Sequence, residues 1–242
     1  MEELFRIENL SKSFGNKKVL QNINLKIFRG ETFTFIGPSG VGKTTILRLL
    51  NLLEMPTSGK LIFNGNDVAI LQKNKVMRRM SMLFQRPAVF STSVFNNVAY
   101  GLVIRGVDKR TIEKKVIDAL ALVGLAGCEK QKAFTLSGGE AQRMAFARSI
   151  VFKPDVLLLD EPTANLDPAN VAKIEDIIRK IRSELGTTII MASHNIYQVR
   201  RIADRVGILL NGELIEVNTK EQIFTHPNDA RSYAFINGEL IY

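Results

Sequence analysis

The stretch GPSGVGKT, Gly37 to Thr44, constrains this chain more than any other. It fits G-x-x-x-x-G-K-T and lies between the short strand-like run ETFTFIG and the helix-like run KTTILRLLNLL. In that setting the glycines let the backbone curl around phosphate oxygens at the start of a helix, where unpaired N–H groups favour an anion. Pro38, Ser39, Gly40, Val41 and Gly42 complete the loop, and Thr45 continues into the helix. Lys43 supplies a point charge to the outer phosphates, and the Thr44 hydroxyl suits Mg²⁺. A strand, a loop and a helix in this order predict a parallel α/β sheet that binds a nucleoside triphosphate.

The run VLLLDEP, Val156 to Pro162, is the natural partner. A buried apolar strand that ends in acids delivers carboxylates to the carboxyl edge of a sheet, where ligands sit in open α/β folds. Asp160 is then expected to hold Mg²⁺ and Glu161 to polarise the attacking water as general base. Alone, two acids at a strand end are equally a solvated turn; paired with the glycine loop they predict an NTPase.

A second phosphate-facing helix start follows 94 positions after Lys43. In TLSGGEAQR, Ser137, Gly138 and Gly139 precede a helix-like run from Glu140 to Phe152. Gln85, in MLFQRP, either reaches the metal or the attacking water or caps a turn. His194, in MASHN, follows the strand-like run TTIIMAS and is expected at the same carboxyl edge, towards the γ-phosphate. A lone histidine is also commonly a packed or capping residue, and His226, beside Pro227, reads as that.

Along the chain, LFRIENLSKSF and VLQNINLKIF alternate as half-buried strands, and MPTSGKLIFNG reads as turn, strand and turn. From about Asn74 to Lys132 strand signals are scarce. VFNNVAYGLVIRG and RTIEKKVIDALALVGL have helical spacing there, with Ile112, Val116, Ala119, Leu120 and Val123 on one face. After Pro154, strands and helices alternate again: VLLLD, ANVAKIEDIIRKIRSEL, TTIIMAS, a short helix from about Asn195, then RVGILLNGELIEV. The layout predicts a single domain over 1–242, with an α/β core (1–85 and 154–242) and a helical insertion over about 86–153.

Composition narrows the setting. Of 242 residues, 45% are apolar and 24% charged, ordinary values for a globular chain with a full core. No apolar run approaches the roughly 18 residues that span a bilayer, and the acidic N-terminus lacks a signal-peptide core. The single cysteine, Cys128, excludes an internal disulfide and fits a reducing compartment. Net charge is +9, with basic residues clustered in QKNKVMRRM. No aromatic is interleaved there to stack bases, so nucleic acid is not the expected partner, although an ATPase acting on nucleic acid stays open as an alternative.

Taken together, GPSGVGKTT, FQRP, LSGGEAQR, LLLDEPTANLD and SHN, in this order and spacing, resemble the nucleotide-binding subunit of an ABC transporter over essentially the whole chain. The resemblance implies a P-loop NTPase of the ABC ATPase type: a mainly parallel core sheet, an N-terminal antiparallel β region and an inserted helical subdomain. It implies ATP and Mg²⁺ as ligands, with Thr44, Gln85 and Asp160 at the metal and Lys43, Glu161 and His194 catalytic. Phe14 matches the aromatic that stacks on adenine, a phenylalanine where the family often has tyrosine. The segment Asn165 to Asp167 matches a loop that crosses the interface of a head-to-tail dimer. In that dimer Ser137, Gly138 and Gly139 face the γ-phosphate held by Lys43 of a second copy, which explains the second helix start.

Only 94 positions separate Lys43 from Ser137, too few for the coiled coil of a chromosome-maintenance ATPase. One cassette excludes the two-cassette translation factors, and the absence of membrane helices excludes a fused exporter. The remaining expectation is a stand-alone subunit, peripheral on the cytoplasmic face of the cell membrane, that drives a separate integral permease. The permease contact is expected near Arg86 to Leu102, with Phe95 in the insertion's core and Phe90 at the contact. The runs LLNLLEMPTSGKLIFNG and IFTHPNDARSYAFINGEL resemble importers fed by an extracytoplasmic solute-binding protein, and FQRPAVFSTSVFNNVAYGLVIRG most resembles ATPases for oxyanion uptake (tungstate, molybdate or phosphate), with polar amino-acid importers close behind. No regulatory domain is expected after Tyr242.

Overall fold

The computed structural model describes residues 2–239; Met1 and 240–242, which close the range expected for the domain, lie outside the described residues. The chain opens with two long antiparallel strands, β1 (Glu3–Phe14) and β2 (Lys17–Phe28). β3 (Thr32–Ile36) leads into the glycine loop and α1 (Lys43–Leu50), followed by β4 (Ser58–Phe63), β5 (Asn66–Asp67), the short α2 (Lys73–Met77) and β6 (Met80–Leu83). Three helices come next: α3 (Val94–Ile104), α4 (Lys109–Leu122) and α5 (Gly138–Ile150). The rest is β7 (Val156–Asp160), α6 (Pro168–Leu185), β8 (Thr188–Ala192), α7 (Ile196–Ile202), β9 (Arg205–Leu210), β10 (Glu213–Thr219), α8 (Lys220–Thr225) and α9 (Ala230–Ile236).

Two sheets form. One is antiparallel, in the order β2-β1-β4-β5; the other runs β10-β9-β3-β8-β7-β6. In the second, β9, β3, β8, β7 and β6 are mutually parallel and β10 adds an antiparallel edge. Asn211 and Gly212, both at positive φ (50° and 80°), turn β9 into β10, the two-residue hairpin whose twist matches its strands.

The strands β3, β7 and β8 are buried at every residue, as a sheet covered on both faces requires. Side chains alternate across such a strand. Leu157 and Leu159 of β7 join Ile189 and Met191 of β8 in a core shared with α3, α4, α5 and α6. Val156, Leu158 and Ile190 face the opposite way, into a core with α1 and the antiparallel sheet. The five positions expected on one face of α4 and its end, Ile112, Val116, Ala119, Leu120 and Val123, are all buried.

The insertion lies between two neighbouring strands of the sheet, β6 and β7, and its helices share one continuous core with them. One element departs from the sequence reading. MSML of β6 is a strand inside the stretch where strand signals are scarce, and it completes the parallel sheet against β7. Four residues between a basic helix and a loop carry too little period-2 pattern to be read alone. The signature helix also begins at Gly138, ahead of the Glu140 expected, because Ser137 caps it and Glu140 closes a capping box.

Candidate active site

Parallel register brings the functional loops to one edge. Phe35, Ala192 and Asp160 stand side by side across β3, β8 and β7, and Leu83 of β6 pairs with Leu159. The residues that follow each strand therefore leave the sheet together: the loop from Gly37, then Glu161, His194 and Gln85. They enclose a cleft of about 330 Å³ lined by Ser39, Gly40, Gly42, Lys43, Thr44 and Thr45 with Gln85, Glu161 and His194.

Close packing as well as backbone conformation demands glycine at two positions of the loop. A Cβ on Gly37 would overlap the Leu209 carbonyl oxygen, and Gly42, at φ 113°, packs against Leu20. Gly42 also serves as N-cap of α1 without any side-chain cap, so the first N–H groups of that helix stay available to an anion. Lys43 is buried and donates to the carbonyls of Gly37 (2.7 Å) and Pro38 (2.9 Å). Burial pulls its ammonium below the usual lysine range, opposed by the nearby charges of Glu161 and Asp160.

Asp160, at the end of β7, accepts a 2.9 Å hydrogen bond from the Thr44 hydroxyl. Burial pushes its carboxyl above the ordinary aspartate range, and the Thr44 bond opposes that. A hydroxyl and a carboxylate that converge beside a phosphate-binding loop are an oxygen donor set suited to Mg²⁺, which commonly takes one or two carboxylates plus substrate phosphates and water. Among the described residues no group of three or more His, Cys, Asp or Glu lies together as a metal cage.

Glu161 occupies a left-handed backbone conformation, φ 49°, which costs a residue with a Cβ about 1–2 kcal/mol. Its N–H donates to Ala192 O at 3.0 Å, tying the turn to β8. The carboxylate accepts from His194 N (3.4 Å) and lies 2.8 Å from His194 Nδ1, while Lys43 Nζ stands 4.0 Å away. The His194 ring is largely exposed. Gln85 is exposed at the cleft wall.

The other sequence-expected residues lie outside this cleft. Phe14 ends β1, half exposed, with Lys12 Nζ 4.6 Å from its ring centroid. Ser137, Gly138 and Gly139 open α5, and Ser137 is engaged by its own Glu140. Asp167 caps α6 through Asn170 N (2.9 Å) and also accepts from the Asn170 side chain. Asn170 in turn packs on Gly139, where a Cβ would overlap its amide. Sequence reasoning missed Asn170, together with the buried Gln142 and Gln198, which bond the backbone and side chains around Glu161. Their partners are distant in sequence, so polar residues on inward helix faces were the only signal.

A second surface forms on the helical insertion. Asn97, fully buried, accepts from Phe90 N (2.9 Å) and donates to Phe90 O (3.1 Å) and Ser93 O (3.0 Å). The Phe90 ring lies 4.8 Å from Tyr100 and 4.9 Å from the Arg148 guanidinium. Phe90, Tyr100, Val103 and Ile104 are exposed, whereas Phe95 packs against the core.

A glycine loop between strand and helix, with an Asp–Glu pair at the end of β7, a parallel strand separated from β3 by β8 alone, defines a phosphate-loop NTPase. Comparison with known proteins places it more closely. Residues 20–164 match the ABC transporter family. The chain is 45% identical to the phosphate import ATP-binding protein PstB 2 of Natronomonas pharaonis, over 98% of this chain and 87% of that one. It is 40% identical to a probable anion import ATP-binding protein of Haloferax volcanii (97% and 86% covered) and 38% identical to methionine import ATP-binding protein MetN 1 of Bacillus cereus (97% and 70%). The solved structure of cbiO1 from Clostridium perfringens, part of the ABC transporter complex cbiONQ, superposes with a TM-score of 0.88 at 30% identity, over 99% of this chain and 97% of that one. The chain belongs to the ABC transporter family, as an ATP-binding subunit whose activity is ATP hydrolysis.

Proposed function

We propose that this chain energises a separate integral permease for the import of an inorganic oxyanion of the phosphate, molybdate or tungstate kind. The observation that carries the catalytic part is the convergence of Lys43, Glu161 and His194 on one cleft. Lys43 and the loop N–H groups hold the outer phosphates of ATP. Glu161 accepts the proton of the attacking water as the bond between the γ-phosphorus and its bridging oxygen breaks, leaving ADP and phosphate. His194, whose Nδ1 stands 2.8 Å from that carboxylate, orients it. Thr44, Asp160 and Gln85 would hold Mg²⁺, which neutralises charge on the phosphates. Phe14 stacks on adenine.

Ser137, Gly138 and Gly139 do not line their own chain's cleft, which supports their serving a second copy in a head-to-tail dimer with ATP at the interface. Asp167 belongs to the same interface. The partner permease docks on the Phe90–Tyr100 surface within Arg86 to Leu102, and an extracytoplasmic binding protein delivers the solute to it. Among the described residues no helix is long and apolar enough to cross a membrane, in keeping with a peripheral place on the cytoplasmic face. The phosphate and anion relatives support an oxyanion; the methionine relative favours an amino-acid importer as the second reading.

Tagged Glu161→Gln protein, trapped with ATP and recovered from solubilised native membranes, tests the assignment. Co-purification of an integral permease is expected, and an accompanying solute-binding protein decides between oxyanion and amino acid. Recovery of nucleic acid or ribosomes instead would overturn the transport reading.

A further inference from the structure

We infer that Gln142 and Gln198 are positioning residues for Glu161, and that through Gln142 the turn carrying Glu161 answers to the signature helix. The inference rests on the reading of Glu161 as the base. A left-handed backbone at a residue with a Cβ persists only where its surroundings over-determine it. Glu161 N is held by Ala192 O, and the next two residues are held by side chains from two different helices. Gln142, on α5, donates Nε2 to the Pro162 carbonyl at 2.8 Å. Gln198, on α7, accepts at one oxygen from Thr163 Oγ1 and from Ser193 Oγ, both at 3.2 Å. Both glutamines are buried, Gln198 completely.

Gln198 therefore bridges the residue two places after Glu161 and the residue one place before His194. Since Glu161 and His194 are already bonded to each other, the bridge closes a ring that fixes carboxylate and imidazole together. Gln198 Nε2 is shielded from water and has no partner among the described residues. An apolar side chain would avoid that penalty, so the group in use is the acceptor oxygen.

Gln142 extends the ring to α5. It lies on the same helix as Ser137 to Gly139, so a shift of that helix start on meeting a partner's nucleotide moves the atom that bonds Pro162, next to Glu161. In a head-to-tail dimer each bound ATP is thereby linked to the other chain's catalytic turn.

Steady-state hydrolysis and nucleotide binding by the whole chain test this. Gln198→Leu is expected to lower kcat by about tenfold or more, the scale of a small misplacement of a catalytic group, with ATP affinity within about twofold, and Gln198→Glu, which keeps the acceptor oxygen, to recover most of the rate. Gln142→Leu is expected to lower kcat likewise and to reduce the ATP cooperativity of the dimer. If Gln198→Leu does not fold, Thr163→Val removes the same bond from the other side and gives the same split. A fall in Tm with kcat unchanged in these variants would leave both glutamines as packing residues and overturn the inference. Glu161→Gln serves as the control: normal turnover there refutes the base itself, whereas a dead Glu161→Gln beside an active Gln198→Leu refutes only the positioning.

Discussion

The side-chain amide of Asn170 lies directly against Gly139, so the start of α6 touches the start of α5 at a point with no room for a Cβ. Asn170 is at the same time bonded to Asp167 by backbone and side chain. The signature segment and the loop ending at Asp167 are thus one contiguous surface.

Gly139→Ala is expected to fold, because the obstacle is the tip of a side chain rather than backbone. The methyl displaces Asn170 from Asp167, lowers Tm and weakens the ATP-dependent dimer. Asn170→Ala added to it should recover stability but not dimerisation. Thermal unfolding and gel filtration with ATP on the two variants check both effects.

Ser137→Ala removes the N-cap of α5 and should cost about 1 kcal/mol of stability. Ser137→Arg loses the same cap and also sets a long cation where the partner's nucleotide is expected. Both should bind ATP as monomers, and the arginine variant alone should fail to dimerise in sedimentation with ATP. A normal ATP dimer of Ser137→Arg would refute the head-to-tail arrangement.

Glu161→Gln keeps the size of the side chain and removes the base. Turnover should fall by about a hundredfold or more, with ATP binding retained and the ATP-bound dimer accumulating. Phosphate release and gel filtration provide the two readouts.

Asp160→Asn should separate stability from activity. Burial raises the folded-state pKa of Asp160 above its unfolded value, so in the window from the ordinary aspartate range upward the folded chain holds the proton more tightly. Stability from this group is present below that window and declines as pH climbs through it, because the buried carboxyl ionises. The asparagine still accepts from Thr44 and carries no charge. Its Tm should exceed the wild type's at neutral pH, the gap should close in acid, and Mg²⁺-dependent hydrolysis should be lost. Unfolding curves across pH test the sign.

The glycine loop, VLLLDE and the alternation after Pro154 were legible because each is local: a motif, an apolar run, a period of 3.6 or 2. The edge strand β6 was obscured because its place is set by pairing with Leu157 and Leu159, not by its own four residues. The boundary of α5 was missed by two residues for a related reason, since the capping box decides where a helix begins and the apolar period does not. Among site residues, those that follow core strands could be read. Gln142, Asn170 and Gln198 could not, because each acts on a segment 20 to 35 positions away in the chain (Pro162, Gly139 and Thr163), through contacts created by packing.

Asn97 fixes the backbone of Phe90 from both sides while Tyr100 and Arg148 hold its ring. The outer face of the insertion, the surface proposed above for the permease, therefore takes its shape before any partner arrives. A docking segment meeting it loses its own freedom but imposes little loss on this chain, so recognition should favour fast, rigid-body capture over mutual ordering. Asn97→Ala would convert the same surface into one that must be assembled anew at each encounter.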